Sequence, residues 1–420
     1  MGEILHPPGY RPRLLHYGLV FADLAGRVHP LVLTPVWLAL VAIVSWPWGD
    51  FRVAAAAASL AFVLIDSVGL ALLPRLERSF GPVTSPLLAL TTVRGCLILG
   101  GALLSAGRVA FSAVIFVQLG ITAVSLYATW IEPFRIGVTY QTLQSPKLNG
   151  GLPLRLLHIS DIHVERITAR ERKLLDLVET LPVDLIVLTG DYLNLSSVRD
   201  PEAQAQARCL LEALCERAHM GSSDRVPIYA ITGSPPVDLK EVIPSIFAGL
   251  PIDWLLDEAV HLQVNGHNLR IAGLQCTRER SRDAPRLRRL LADLPDERFT
   301  LLLYHSPDLM PEATECGVDL YLCGHTHGGQ IRLPLLGAVL TSSDFWKRYE
   351  MGRYQEKGTT LFVSRGLGME GLGAPRARFL CPPEIIEWTL SGGATEVPHA
   401  SDVRRSLGHM IGSWKAQMAG

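Results

Sequence analysis

The 420-residue chain carries 39 basic and 40 acidic side chains, a formal charge of −1, so charge gives no case for a nucleic-acid partner and none is expected. Its seven cysteines form no Cys-x-x-Cys pair and are odd in number, which argues against a disulfide framework and fits a reducing compartment. A mean hydropathy of +0.25 is high for a soluble chain, and the apolar excess lies before residue 133, dividing the chain into a membrane half and a soluble half.

Residues 1–28 form a polar leader interrupted by Pro7, Pro8 and Pro12. Its Leu14, Leu15, Leu19 and Val20 allow two readings, a patch lying flat at a membrane surface or simply an ordered leader. The charged start, short apolar core and small-residue cleavage site of a signal peptide do not occur in order. Residues 29–132 hold four apolar segments, 31–48, 53–73, 87–105 and 109–131, each near the ~20 residues that cross a bilayer as a helix. A four-helix transmembrane region is therefore expected, with Trp37, Trp46, Trp48 and Trp130 as interface anchors.

An even number of spans puts the leader and everything after residue 132 on one side. The flanks on that side carry Arg11, Arg13, Arg27, Arg75, Arg78, Arg135 and Lys147, against only Arg52 and Arg108 opposite. The excess of positive charge marks the cytoplasmic face, so the soluble half is expected in the cytoplasm, anchored to a bacterial inner membrane. Asp66 and Arg94 lie inside spans two and three, each seven residues from the same face, or roughly 10 Å deep at 1.5 Å per residue. A buried structural ion pair is the simpler account, an intramembrane functional site the other.

From residue 133 the pattern changes. Val138, Tyr140 and Thr142 alternate as in a strand, and strands are predicted at 154–160, 185–189, 228–232, 301–304, 320–323, 361–364 and 385–390. Helices are predicted at 168–180, 201–218, 240–248, 285–291 and 311–316, and Asn265-Gly266 between alternating runs reads as a hairpin turn. Alternating units of this kind predict an α/β domain over 133–390 with a central, largely buried sheet. The tail, 391–420, is polar, with a short helix over 403–418.

The strand ends carry the chemistry. One runs into Asp161-Ile162-His163, one into Gly190-Asp191, one into His305 and one into Gly324-His325-Thr326-His327. Four strands of one sheet would thus deliver two aspartates and four histidines to one edge, where ligand sites collect in α/β sheets. This nitrogen and oxygen set, without thiolate, suits Mn, Fe, Zn or Co. It is large enough for two ions, with Asp191 as the bridge.

Asp161-x-His163, Gly190-Asp191, His305 and Gly324-His325-x-His327 together resemble the calcineurin-like metallophosphoesterase superfamily. The stretches Gly328-Gly329-Gln330-Ile331-Arg332-Leu333-Pro334 and Val363-Ser364-Arg365-Gly366-Leu367-Gly368 resemble its membrane-associated bacterial branch. The resemblance covers about residues 152–390 and implies a four-layer α/β/β/α sandwich. It implies a first divalent ion held by Asp161, His163, Asp191 and His327, and a second by Asp191, His305 and His325. Asp191 and His325 are the expected catalytic residues, with Ser234, Asn194 and Arg365 as substrate contacts. The implied activity is hydrolysis of a phosphodiester or pyrophosphate, with a membrane lipid as the fitting substrate. Relatives that cleave UDP-diacylglucosamine to lipid X and UMP would suit that placement.

One departure stands out. The family has Gly-Asn-His after the third strand, whereas this chain reads Gly233-Ser234-Pro235-Pro236-Val237-Asp238. A hydroxyl is a poorer ligand than an amide carbonyl, and proline offers no acid, so a weak second ion is expected. The rival reading is a catalytically degenerate membrane sensor or scaffold that binds metal or ligand without turnover. Finally, Arg278, Arg280, Arg282, Arg286, Arg288 and Arg289 read as a solvated helix face or as a contact for anionic headgroups.

Overall fold

The computed structural model describes residues 14–28, 30–104, 107–219, 225–293 and 297–393. Arg11, Arg13 and the helix predicted over 403–418 lie outside them.

The N-terminal part is helical: α1 (Leu14–Gly26), α2 (Pro30–Ser45), α3 (Arg52–Arg75), α4 (Thr84–Leu104) and α5 (Arg108–Leu126). Among the described residues, three helical runs are long and apolar enough to cross a membrane: Thr34–Arg75, Thr84–Leu104 and Val109–Phe134. The four separate segments read from the sequence are thus three runs, the first of 42 residues. That run bends where Gly49 takes φ 56°, a value open to glycine at no steric cost. It then folds back, so that Trp37 of α2 packs with Leu70 and Leu73 near the end of α3. Outward-facing Val53, Leu64, Leu104, Val109 and Phe116 are strongly exposed, a large apolar surface that fits a helical bundle crossing a membrane. The pair expected in the spans forms: Arg94 Nε and Nη2 donate to Asp66 Oδ2 and Oδ1 at 2.7 and 2.8 Å, with Gln118 Oε1 and Thr122 Oγ1 accepting at 2.9 Å each.

The remaining strands are β1 (Gly137–Gln144), β2 (Leu154–Ile159), β3 (Leu185–Leu188), β4 (Ile228–Ala230), β5 (Asp253–Trp254), β6 (Glu258–Val264) and β7 (His267–Gly273). Then come β8 (Phe299–Leu303), β9 (Leu320–Cys323), β10 (Arg332–Leu333), β11 (Gly337–Ala338), β12 (Gly352–Glu356), β13 (Thr359–Val363) and β14 (Glu384–Ser391). Interleaved helices are α6 (Ala169–Thr180), α7 (Pro201–His219), α8 (Ile243–Phe247), α9 (Arg280–Leu290) and α10 (Met310–Glu315).

In place of the one central sheet that alternating units alone predict, and in keeping with the two sheets that the resemblance implies, there are two six-stranded mixed sheets, ordered β1-β14-β2-β3-β4-β5 and β12-β13-β9-β8-β7-β6. The period-two alternation of each strand explains why two are needed. Leu154, Leu156, Leu185 and Val187 face Leu301, Leu303, Leu320 and Leu322 in one shared core. The alternate residues of β2 and β3 pack under α6 and α7, as Leu157, Ile186 and Leu188 do against Leu174, Leu210 and Leu214. Those of β8 and β9 pack under α9 and α10, as Leu302 and Tyr321 do against Leu287 and Ala313. Strands buried on both faces are apolar throughout, and a shared core of this kind brings the C-terminal ends of β2 and β3 up to those of β8 and β9. The Asn265-Gly266 turn between antiparallel β6 and β7 has φ 50° and 79°, as a primed hairpin turn requires.

Candidate metal centre

All six predicted ligands come together, and they come from both sheets rather than one. β2 and β3, parallel neighbours in the first sheet, lead into Asp161, His163 and Asp191. β8 and β9, parallel neighbours in the second, lead into His305, His325 and His327. The side chains form two buried groups, Asp161–His163–His327 and Asp191–His305–His325, whose donor atoms lie within 4.8 Å of one another in each group.

The backbone is bent to make this possible. Asp161, His163, Asp191, His325 and His327 all have φ between 46° and 71°, a left-handed region costly for non-glycine residues that persists only where surroundings enforce it and that clusters at functional sites. Glycines permit the close approach: a Cβ on Gly324 would run into Asp161 Oδ2, and one on Gly233 into Asp191 Oδ1.

Two of the imidazoles, His163 and His305, are aimed by their second nitrogen. His163 Nδ1 stands 3.1 Å from the Leu193 carbonyl oxygen and His305 Nδ1 2.8 Å from that of Thr189. Both Nδ1 atoms therefore carry hydrogen and both Nε2 atoms point inward. His163 Nε2 and His327 Nε2 are 3.0 Å apart. His163 Nε2 thus faces its neighbour with a lone pair, which either hydrogen on a neutral His327 Nε2 or a cation between the two nitrogens would meet. Burial, with His163 and Arg378 adding to it, holds the His327 imidazole well below its ordinary pKa, so a second proton on that ring is a poor candidate for the cation. A divalent ion fits, because two nitrogens bound at ~2.1 Å and at right angles stand about 3.0 Å apart.

In the second group His305 Nε2 lies 3.2 Å from Asp191 Oδ2 and 3.2 Å from His325 Nδ1. Ser234 Oγ lies 3.2 Å from His305 Nε2 and 3.3 Å from His325 Nδ1, so the serine is at the centre. Burial would depress the His305 imidazole, but the Asp191 carboxylate outweighs it and raises the pKa to about 9. Burial likewise pushes Asp191 up, and the His305 charge with the Ser234 amide brings it below its ordinary value. Asp161 stays raised, by burial first and by Asp191 beside it.

Two further residues complete the centre. Asp238, the last residue of the departed loop, accepts from the Asp191, Tyr192 and Gly233 amides at 2.8, 3.0 and 2.6 Å, tying the Asp191 loop to the Ser234 loop. Burial, with Asp191 nearby, raises its carboxyl to about 7. Arg278 donates from Nη1 to His325 Nδ1 at 2.9 Å and from Nη2 to the Ser342 carbonyl at 3.0 Å. It lies outside the helix to which the arginine run assigned it: α9 begins at Arg280, and Arg278 has φ 64° on the turn before it. Only a link between that arginine and the histidine loop, which sequence spacing does not carry, would have revealed it.

Two predicted substrate contacts are committed elsewhere. The Asn194 amide donates to the Met369 carbonyl at 2.9 Å and accepts from the Ser196 amide and Arg376 at 3.0 and 3.1 Å. Arg365 is paired with Glu384 at 2.6 Å.

The comparisons agree with this geometry. A family model described as calcineurin-like phosphoesterase matches residues 154–329, which contain all six side chains. The uncharacterized metallophosphoesterase YkuE of Bacillus subtilis is 31% identical over 63% of this chain and 88% of its own length. UDP-2,3-diacylglucosamine pyrophosphatase LpxG of Chlamydia trachomatis is 27% identical over 64% of this chain and 97% of its own. Phosphodiesterase YaeI of Escherichia coli is 27% identical over 56% and 80%.

Proposed function

From the premise that this chain belongs to the calcineurin-like metallophosphoesterase family, we propose that it is a membrane-anchored hydrolase of phosphodiester or pyrophosphate bonds in a lipid-linked substrate. The observation that carries the reading is the pair of adjoining Asp/His groups. Asp161, His163 and His327 would hold one divalent ion and His305 and His325 a second, with Asp191 between them. Ions held there would activate a water and neutralise charge on the phosphoryl group. The protein's own part is to fix the donors: Leu193 and Thr189 orient His163 and His305, and Asp238 holds the Asp191 backbone. Arg278 presents a guanidinium, suited to a phosphoryl oxygen, beside the second group.

Three core clusters support the α/β/β/α sandwich as the domain's layering. The returning α2–α3 run supports four membrane crossings, with α2 and α3 as separate spans. Arg75 and Arg78 lie at the bundle end nearest the phosphoesterase domain, where Arg78 stacks on Phe134 at 4.8 Å. That excess of positive charge supports a cytoplasmic catalytic domain, beside the leaflet in which a lipid substrate would lie. LpxG, by its name, hydrolyses such a substrate.

The test is hydrolysis of UDP-2,3-diacylglucosamine and of bis(4-nitrophenyl) phosphate by the full chain with Mn²⁺ or with chelator. Metal-dependent cleavage is expected, and esters with good leaving groups should be preferred because Pro235 has no proton to give. The reading fails if neither compound is cleaved faster than by Asp191→Ala. One observation favours a second reading, a metal-binding sensor without turnover: Ser234-Pro235 in place of Asn-His.

A further inference from the structure

Ten large apolar side chains between residues 137 and 393 are exposed among the described residues, and six of them fall in one short segment: Leu333, Leu335, Leu336, Val339, Leu340 and Trp346. The other four, Tyr140, Leu152, Leu256 and Leu380, are scattered. Leu335 and Leu336 form the tip between β10 and β11, and Leu335 is 106% exposed. A contiguous apolar patch of this kind marks a surface that something covers.

Its position says what. At the root, Ile331 bridges Phe379, the Arg332 amide donates to the Phe379 carbonyl at 2.9 Å, and the Phe379 ring meets Tyr127 edge-on at 6.3 Å. The Arg378 amide donates to Ala128 at 2.9 Å, and both Tyr127 and Ala128 lie near the end of the apolar run Val109–Phe134. The hairpin is thus continuous with the end of the bundle. A second apolar surface lies on α1, where Phe21 and Leu24 are exposed while Val20 packs on Leu195, Val237 and Leu372. Val237 belongs to the Ser234 loop, so α1 lies over the metal edge.

We propose that the hairpin tip and the outer stripe of α1 dock into the headgroup layer of the bilayer that the bundle crosses, so that the mouth of the metal centre opens onto a lipid surface. This rests on the membrane-anchored reading above and goes beyond it. An apolar tip with a cation beside it suits that layer: Lys347 Nζ donates to the Leu336 carbonyl at 2.7 Å. The hairpin is also joined to the site. Arg332 donates to the Gly328 carbonyl at 2.9 Å, a Cβ on Gly329 would collide with Ala338, and Ser342 links the Arg278 guanidinium to the His325 carbonyl. Docking would therefore hold the loop that carries His325 and His327.

The test uses the full chain in nanodiscs of phosphatidylethanolamine and phosphatidylglycerol, with Cys96 and Cys209, the exposed cysteines, changed to serine. A fluorophore is placed at Leu335→Cys, at Leu152→Cys just before β2, or at Leu103→Cys in the bundle, and lipids carrying a shallow nitroxide are the quencher. Quenching at position 335 is expected to exceed that at 152 several-fold and to approach that at 103. Equal quenching at 335 and 152, with 103 quenched, overturns the docking alone. An unquenched 103 overturns the anchoring reading and the docking with it. The Leu335→Asp, Leu336→Asp double variant should lose at least tenfold in hydrolysis of a bilayer-embedded phosphodiester and keep its rate on bis(4-nitrophenyl) phosphate; an equal effect on both also overturns the proposal.

Discussion

Arg278 and any ion bound by His325 cannot share the same lone pair: the guanidinium donates to His325 Nδ1 at 2.9 Å, the atom that would face the second ion. With Ser234 in place of an amide, two features weaken that site. Arg278→Ala should therefore tighten the second of two Mn²⁺ ions by about tenfold or more, as removal of a like charge at close range implies, and Ser234→Asn should do the same by adding a better donor. Calorimetric Mn²⁺ titration reads both; an unchanged or weaker second ion in Arg278→Ala would show that the arginine does not compete. His305 gives a pH signature. Its folded pKa of about 9 lies above the unfolded value of ~6.5, so in chelator it stabilises the fold fully below pH ~6.5, and this is lost as pH rises through 9. The loss is on the order of 3 kcal/mol, seen as a falling melting temperature between those pH values. With metal bound the ring is deprotonated throughout and the slope should vanish. Aspartate and histidine at each strand end were legible from residue type and position. The left-handed backbone that turns five of them inward was not, because φ at Asp161 or His327 is set by the opposing sheet.

At the level of elements, strands with apolar runs stood out in the sequence, and polar ones did not. β12, Gly-Arg-Tyr-Gln-Glu, is an edge strand, and polar edges carry no apolar stripe. The second sheet is implied by the family resemblance and not by the strands themselves: strands buried on both faces look alike whichever sheet they join, and long-range pairings such as β1 beside β14 leave no local trace. The helix predicted to start at Pro285 begins earlier, at Arg280, with Pro285 inside α9, and Arg278 lies on the turn before it. The intramembrane pair was legible because a charge in a span needs a partner at equal depth. Its arms, Arg94 and Asp66, are 3% and 2% exposed. Neutralising either alone should cost about 3–5 kcal/mol and the Asp66→Asn, Arg94→Gln double change less than either, since only a single change strands a buried charge. Thermal stability in detergent tests this; additive losses would mean the two act independently.

In the molecule as a whole, an apolar helical bundle joins a two-sheet phosphoesterase domain, and Val20 of α1 packs beside the loop that carries Ser234. A reporter fused after Gly150 is expected to behave as cytoplasmic, since Arg75, Arg78 and Arg135 flank that side and set orientation; a periplasmic signal would reverse the leaflet assignment. The claim on which everything else depends is that the buried Asp/His groups hold the metal that drives hydrolysis. It is tested most directly by measuring metal content and phosphodiesterase turnover together, on the purified full chain and on Asp191→Ala. The wild type is expected to regain turnover in step with added Mn²⁺, and Asp191→Ala to lose bound metal and at least about a hundredfold in rate, as much as losing even a supporting partner can cost. Full turnover and unchanged metal content in Asp191→Ala would contradict it.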